Sequence, residues 1–245
     1  MMVMTANKIA LVIGAGDALG SAIARRFAKE GYLAVLVRRN AEKLEPLVAQ
    51  IKAEGGQAVG MAADARQEDQ MTALFDKVEQ ELGPIEVCVF NIGANVRFSI
   101  LETTARVYSK VWEMAAFSGF LAGREAARHM VGRARGTILF TGATASLRGA
   151  SGFSAFAGAK AALRSLAQSM ARELGPKGIH VAHIIIDGPM DTEWIAANFP
   201  EAYARKATDG ILNPDHVAEN YWQLHCQPRD VWTHELDLRP WSETW

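Results

Sequence analysis

Short apolar runs rich in β-branched residues recur along the chain at 8–13, 33–37, 57–61, 86–90, 137–141 and 180–186, with a weaker one at 233–238. Between them lie segments in which apolar positions return every three to four residues: 19–30, 41–54, 67–82, 104–132, 153–175 and 214–225. The runs carry few charges and do not alternate, as expected of strands buried on both faces. The periodic segments predict helices with one apolar face. Strand–helix alternation implies parallel strands joined by right-handed crossovers, with helices on both sheet faces. The expected fold class is α/β, one doubly wound parallel sheet forming a single domain over residues 1–245. No internal repeat or low-complexity linker breaks it. The irregular stretch 190–213 follows a strand's carboxyl end, where open α/β sheets bind ligands, and is expected to act as a substrate-side lid.

Composition narrows the class of partner. The chain has 245 residues, 49% of them hydrophobic, enough for one sizeable core. A formal net charge of −1 gives no basic excess for nucleic acid or an anionic membrane surface. No apolar stretch reaches spanning length, and the polar first eight residues do not read as a signal peptide. The two cysteines, Cys88 and Cys226, form no close-spaced metal motif, so no metal is expected. Cys88 lies in a strand-like run and reads as a buried thiol, and such usage fits a reducing cytoplasm.

The first strand is followed by Gly14-Ala15-Gly16-Asp17-Ala18-Leu19-Gly20. Glycine permits a tight turn and a close approach of pyrophosphate to the main chain, and the following helix start offers free N–H groups to that anion. A plain tight turn is the other reading of such a loop; its place between the first strand and a helix favours a Rossmann-type, nucleotide-binding sheet. The second strand ends in Arg38 and Arg39, where sites for NAD carry an acidic residue on the ribose 2′-OH. Two arginines instead suit a 2′-phosphate, which favours NADP over NAD. The alternative for this pair is a solvated strand end.

The spacing of Gly14, Gly16, Ala18 and Gly20 misses the Gly-x-Gly-x-x-Gly pattern, because position 19 is Leu, and resembles that of the short-chain dehydrogenase/reductase family. The resemblance runs along almost the whole chain. Ala63-Asp64-Ala65 looks like the segment whose Asp contacts adenine; capping of the helix at 67–82 is the other reading of Asp64. Asn91-Ile92-Gly93 looks like a degraded Asn-Asn-Ala-Gly motif, in which Asn91 would be structural and Gly93 would border the cofactor. Gly188-Pro189-Met190-Asp191-Thr192 resembles the family's Pro-Gly-x-x-x-Thr segment, with Asp187 in place of Pro. Thr192 would then bond the nicotinamide carboxamide, or else cap a helix beginning near Trp194.

The family's catalytic helix carries a Tyr and, four residues on, a Lys, a spacing that puts both on one face. The resemblance assigns the Lys to the nicotinamide ribose and to lowering the Tyr pKa. A Ser thirteen residues before the Tyr bonds the same substrate oxygen, and an Asn on the preceding long helix completes a proton relay. Here 152–163 matches that helix start: the Lys is Lys160, the Tyr position is Phe156, the Ser position is Ala143 and the Asn position is Ala115. Three of the four groups are apolar. A positioned general acid contributes roughly 10²–10⁴-fold in rate, so ordinary carbonyl reduction needs another proton source. Thr141, Thr144, Ser146, Ser151 and Ser154 lie nearby in sequence, and Tyr203 and His183 are further candidates, although His183 also reads as a satisfied core histidine. Trp194, Phe199 and Tyr203 would suit a lid over an apolar ligand.

The family resemblance implies an NADP(H)-dependent oxidoreductase acting on a small carbonyl compound or alcohol with a non-standard proton donor. It implies a homodimer or homotetramer through the long helices at 104–132 and 153–175, the second rich in small residues. The triple replacement supports the other expectation, a catalytically inactive NADP-binding homologue serving as a sensor or assembly subunit. Hydride transfer to a polarised C=C or imine, which needs no hydroxyl acid, is a third.

Overall fold

The computed structural model describes residues 7–16 and 18–244. Seven strands form one parallel sheet: β1 (Ile9–Ile13), β2 (Leu33–Arg38), β3 (Gln57–Ala62), β4 (Ile85–Phe90), β5 (Gly136–Thr141), β6 (Ile179–Ile186) and β7 (Glu235–Leu238). Their spatial order is β3-β2-β1-β4-β5-β6-β7. The chain runs outward from β1 to β3 and then returns to lay β4 beside β1, in register from Ala10 opposite Val87 to Ile13 opposite Phe90. That reversal opens a crevice beyond the carboxyl ends of β1 and β4, the usual ligand site of a doubly wound sheet. The expected α/β architecture is the observed one.

Alternation along β1 divides the core. Ile9, Leu11 and Ile13 pack with Met71, Leu74 and Phe75 of α3 (Glu68–Glu81), Leu121 of α5 (Ser118–Met130) and Leu163 of α6 (Ser154–Leu174). Ala10 and Val12 face the other layer, with Ile23 and Phe27 of α1 (Leu19–Lys29), Ile51 of α2 (Glu45–Ala53) and Tyr221 of α9 (Pro214–His225). Both faces are covered, which explains why β1, β4 and β5 are buried at every position. Full burial of an aliphatic or aromatic side chain is worth about 1.5–3 kcal/mol, so these layers supply the main stabilising term.

The elements differ from the sequence pattern in four places. The helix expected over 104–132 is α4 (Ala105–Trp112), one wide π turn (Glu113–Phe117) and then α5. Ser118 Oγ donates to the Glu113 carbonyl at 2.7 Å, occupying an acceptor within the widened turn. The helix expected over 41–54 begins with a 3₁₀ turn and becomes α-helical at Glu45, with Pro46 in the first turn, where its missing N–H costs little. β7 starts two residues late because the Thr233 N–H donates to the Gln227 side chain at 2.7 Å. Within 190–213 two short helices appear, α7 (Glu193–Asn198) and α8 (Pro200–Ala204). No helix among the described residues is long and apolar enough to cross a membrane.

Candidate active site

The glycine loop is built by close backbone approach. Gly14 has φ +89°, and a Cβ there would lie 2.7 Å from the Asn91 carbonyl oxygen. A Cβ on Gly20 would lie 2.5 Å from Gly14 O, so α1 can start only where the loop folds back on it. Asn91 clamps this turn: its Nδ2 donates to Gly14 O at 3.1 Å and its N–H to Ile13 O at 2.8 Å. At Gly16 a Cβ would meet nothing within 4 Å, so the main chain is open to a ligand there. Ala18 at the cap of α1 makes no side-chain bond to the first turn, and no acidic residue lies in that turn. Its N–H groups and the positive end of the helix dipole are therefore available to an anion. Asp17 lies outside the described residues.

Beside the loop is a cavity of about 160 Å³ whose lining includes Gly14, Arg38, Arg39, Asp64, Ala65 and Arg66. Arg66 was not singled out in the sequence, because its role shows only where it closes on Asp64. It grips Asp64 bidentately, Nε to Oδ1 at 2.9 Å and Nη2 to Oδ2 at 2.5 Å. That pairing holds the Asp64 carboxyl below the usual carboxylate range. The alternative of Asp64 as a helix cap is corrected: Gln67 takes the cap position of α3, while the Asp64 side chain is turned to Arg66.

The carboxyl ends of β4, β5 and β6 open into a larger cavity of about 690 Å³. It brings together Lys160, Phe156, Ala143, Leu19, Gly93, Gly188 and Thr192, all residues singled out in the sequence. Ala115 is not in the lining; fully buried in the π turn, it packs in the apolar cluster of Phe156 and Ala159. Thr192 fills both of its expected places. It borders the cavity and also caps α7, accepting from the Ile195 N–H at 3.1 Å.

Lys160 is 2% exposed, so it is no surface lysine. Its Nζ donates to Thr141 O at 2.8 Å and Ile92 O at 3.1 Å, and lies 5.9 Å from the centre of the Phe156 ring. An ammonium has three N–H donors, so one is left for a ligand. No carboxylate is recorded against it among the described residues, and burial pulls its pKa down to about 8.

Three of the five hydroxyl candidates are engaged by other groups. Thr141 Oγ1 shares a hydrogen bond with Tyr221 OH at 2.8 Å, Thr144 Oγ1 donates to Asp187, and Ser146 Oγ accepts from the Ala143 N–H at 3.1 Å. Ser151 and Ser154 are not in the lining. His183 is fully buried behind Gly142, with Nδ1 3.1 Å from Glu235, and burial lowers its pKa to about 4. Tyr203 also lies off the lining and accepts from Lys206 Nζ at 3.4 Å. Trp194 and Phe199 pack on each other at 5.3 Å and are largely exposed; of the 190–213 segment only Met190 and Thr192 line the cavity.

A buried charge cluster flanks the opening. Asp187, where the family pattern has Pro, is 1% exposed. It accepts from Thr144 and pairs with Arg239 at 3.1 Å and Arg148 at 3.4 Å. Arg148 lines the cavity. Neither arginine was singled out in the sequence, because the network joins three segments far apart in the chain.

A doubly wound sheet with an open glycine loop at its switch point and a lysine-bearing helix over the next crevice defines a nucleotide-binding α/β protein of dehydrogenase type. The short chain dehydrogenase family model matches residues 8–202. A short-chain dehydrogenase/reductase of Armillaria gallica is 33% identical over 189 residues, 76% of this chain and 72% of that protein. The solved structure of a short-chain dehydrogenase from Rhodopseudomonas palustris is 51% identical, covers 97% of this chain and 100% of its own, and superposes with a TM-score of 0.83. A metagenomic short-chain oxidoreductase in complex with NADP shares the fold at 24% identity and TM-score 0.81, covering 96% and 98% of the two chains. The chain belongs to the short-chain dehydrogenase/reductase family, whose members are NAD(P)-binding oxidoreductases.

Proposed function

We propose that this protein is an NADP(H)-dependent oxidoreductase for a small, largely apolar carbonyl compound or the matching alcohol, with Lys160 as its proton-carrying group. The observation that carries this reading is Lys160 itself, a buried ammonium at the cavity wall with two donors on carbonyl oxygens and one to spare. The residues present fit the cofactor: Gly14, Gly16 and Gly20 form a loop open at Gly16, and α1 presents unbonded N–H groups. Arg38, Arg39 and Arg66 gather where a 2′-phosphate would need guanidinium groups. Asp64 would meet the adenine and Thr192 the carboxamide, while the one free donor of Lys160 serves the substrate oxygen rather than the ribose. Bound nicotinamide supplies or accepts a hydride. Lys160 gives its proton at Nζ as negative charge grows on the substrate oxygen. Phe156 and Ala143 exclude water and hold no proton.

The second reading, a cofactor-binding protein without turnover, is favoured by one observation: Phe156, Ala143 and Ala115 offer no donor. The unpaired thiols, Cys88 buried and Cys226 exposed, suit a reducing compartment, and we place the protein in the cytoplasm. We also infer a homo-oligomer through the face of α4 and α5. Tyr108, Trp112 and Phe120 are 45%, 43% and 40% exposed there, and Trp112, Phe117 and Phe120 stack in sequence at 6.0 and 6.2 Å.

Single-turnover NADPH oxidation with a panel of aldehydes, ketones, quinones and imines separates the two readings. Turnover on a carbonyl that is lost in Lys160→Arg, which keeps the charge but not a transferable proton, supports the first. Tight NADPH binding with no oxidation by any of the panel supports the second. Calorimetric titration should show NADPH tighter than NADH, with the preference lost in Arg38→Asp and Arg39→Asp; equal affinities in the unaltered chain would overturn the NADP assignment.

A further inference from the structure

The described lining of the 690 Å³ cavity contains two cations, Lys160 and Arg148, and no Asp or Glu. Lys160 has a place in the proposed chemistry. Arg148 has none, and the way it is held is informative. Asp187 already has Thr144 on Oδ1 and Arg239 at 3.1 Å from Oδ2; Arg148 reaches the same Oδ2 only at 3.4 Å. Its side chain is 39% exposed against 15% for Arg239. A guanidinium carries five N–H donors, and one long contact tethers Arg148 without using its fork.

Position adds to this. The Arg148 N–H donates to Thr144 O at 3.1 Å, so the residue lies one turn past Thr144, the neighbour of Ala143. The surrounding wall is apolar, including Ile92, Ala145, Phe153, Phe156, Ile186 and Met190. Arg97, outside the lining, has its guanidinium 5.9 Å from the centre of the ring of Phe153, which is in the lining. An apolar chamber with one uncommitted guanidinium is complementary to an apolar molecule bearing one planar anion, since the arginine fork matches both oxygens of a carboxylate.

We infer that Arg148 is a substrate-binding residue and that the substrate is an apolar carbonyl compound or alcohol that also bears a carboxylate. The inference rests on reading this cavity as the substrate chamber of an NADP(H)-dependent oxidoreductase.

The test uses cyclohexanecarboxylate and its methyl ester as probes of equal shape. Each is titrated calorimetrically into the full-length protein, alone and saturated with NADP⁺. A charge-assisted pair predicts that the carboxylate binds about tenfold to a hundredfold more tightly than the ester. Arg148→Gln should erase that ratio, and Arg148→Lys, which keeps the charge without the fork, should restore part of it. Equal affinities in the unaltered protein, no carboxylate binding at millimolar concentration, or an unchanged ratio in Arg148→Gln would overturn the assignment. Failure of NADP⁺ to bind in the same series would instead strike the cofactor reading, while the carboxylate-to-ester ratio on the protein alone still decides the role of Arg148.

Discussion

Replacing Lys160 with Met should make the cofactor-free protein more stable at neutral pH and less stable at alkaline pH. Met has a similar length and an unbranched, adaptable side chain, so it can fill the same space. Burial depresses the lysine pKa from 10.5 to about 8. The unfolded lysine therefore binds its proton up to pH 10.5 and the folded one only to about 8, so wild-type stability climbs with pH between those values. The cost of burying the charge is complete below pH 8 and gone above 10.5. At pH 7 it amounts to about 3 kcal/mol, and at pH 9.5 to about 1 kcal/mol. Against this, the carbonyls of Ile92 and Thr141 lose their donors, at about 1 kcal/mol each. Lys160→Met thus gains about 1 kcal/mol at pH 7 and loses about 1 kcal/mol at pH 9.5. Urea unfolding at both pH values, at one fixed protomer concentration, measures the difference. A variant-minus-wild-type value that does not change with pH would refute a buried, charged Lys160.

Restoring the hydroxyls should create or raise carbonyl reduction: Ala143→Ser with Phe156→Tyr should exceed either single change and gain at least roughly tenfold on an apolar ketone, below the full acid contribution because Ala115 still breaks the relay. A fast parent enzyme slowed by Phe156→Tyr would refute a vacant acid position. Sedimentation at micromolar concentration should show a dimer or tetramer, shifted toward monomer by Trp112→Glu together with Phe120→Glu; a monomeric parent would refute the α4–α5 interface.

The sheet was legible because each strand core is an uninterrupted apolar run, and a strand between two helix layers has no polar face to confuse its period. The glycine loop was legible because its residues are consecutive. What escaped the sequence depends on backbone detail or on distant partners. The π turn at Glu113–Phe117 rests on a single widened register held by Ser118 and leaves the apolar repeat continuous. Arg66 gains meaning only when it closes on Asp64 beside Arg38 and Arg39. The Asp187 cluster joins Thr144, Arg148 and Arg239 from the ends of β5, β6 and β7, and no local pattern carries it. Of the expected lid aromatics, Trp194 and Phe199 pack on each other and Tyr203 meets Lys206, because the 190–213 segment folds into its own short helices.

The energetics of Lys160 bear on whether the chamber is a working one. A carboxylate beside it would offset its burial, and none is recorded among the described residues. The fold gains nothing from that charge that an apolar side chain of equal length would not give at lower cost. Arg148 differs: it shares the buried Asp187 with Arg239, which also pairs with Asp237, so its charge is partly matched. A buried lysine without a carboxylate beside it is an expense to the folded state, and a ligand carrying negative charge is what offsets it. Loss of the tyrosine, serine and asparagine positions removes one route for a proton. It leaves in place a chamber whose buried lysine has no acidic group beside it among the described residues, which is the arrangement expected of a site that completes its electrostatics on binding.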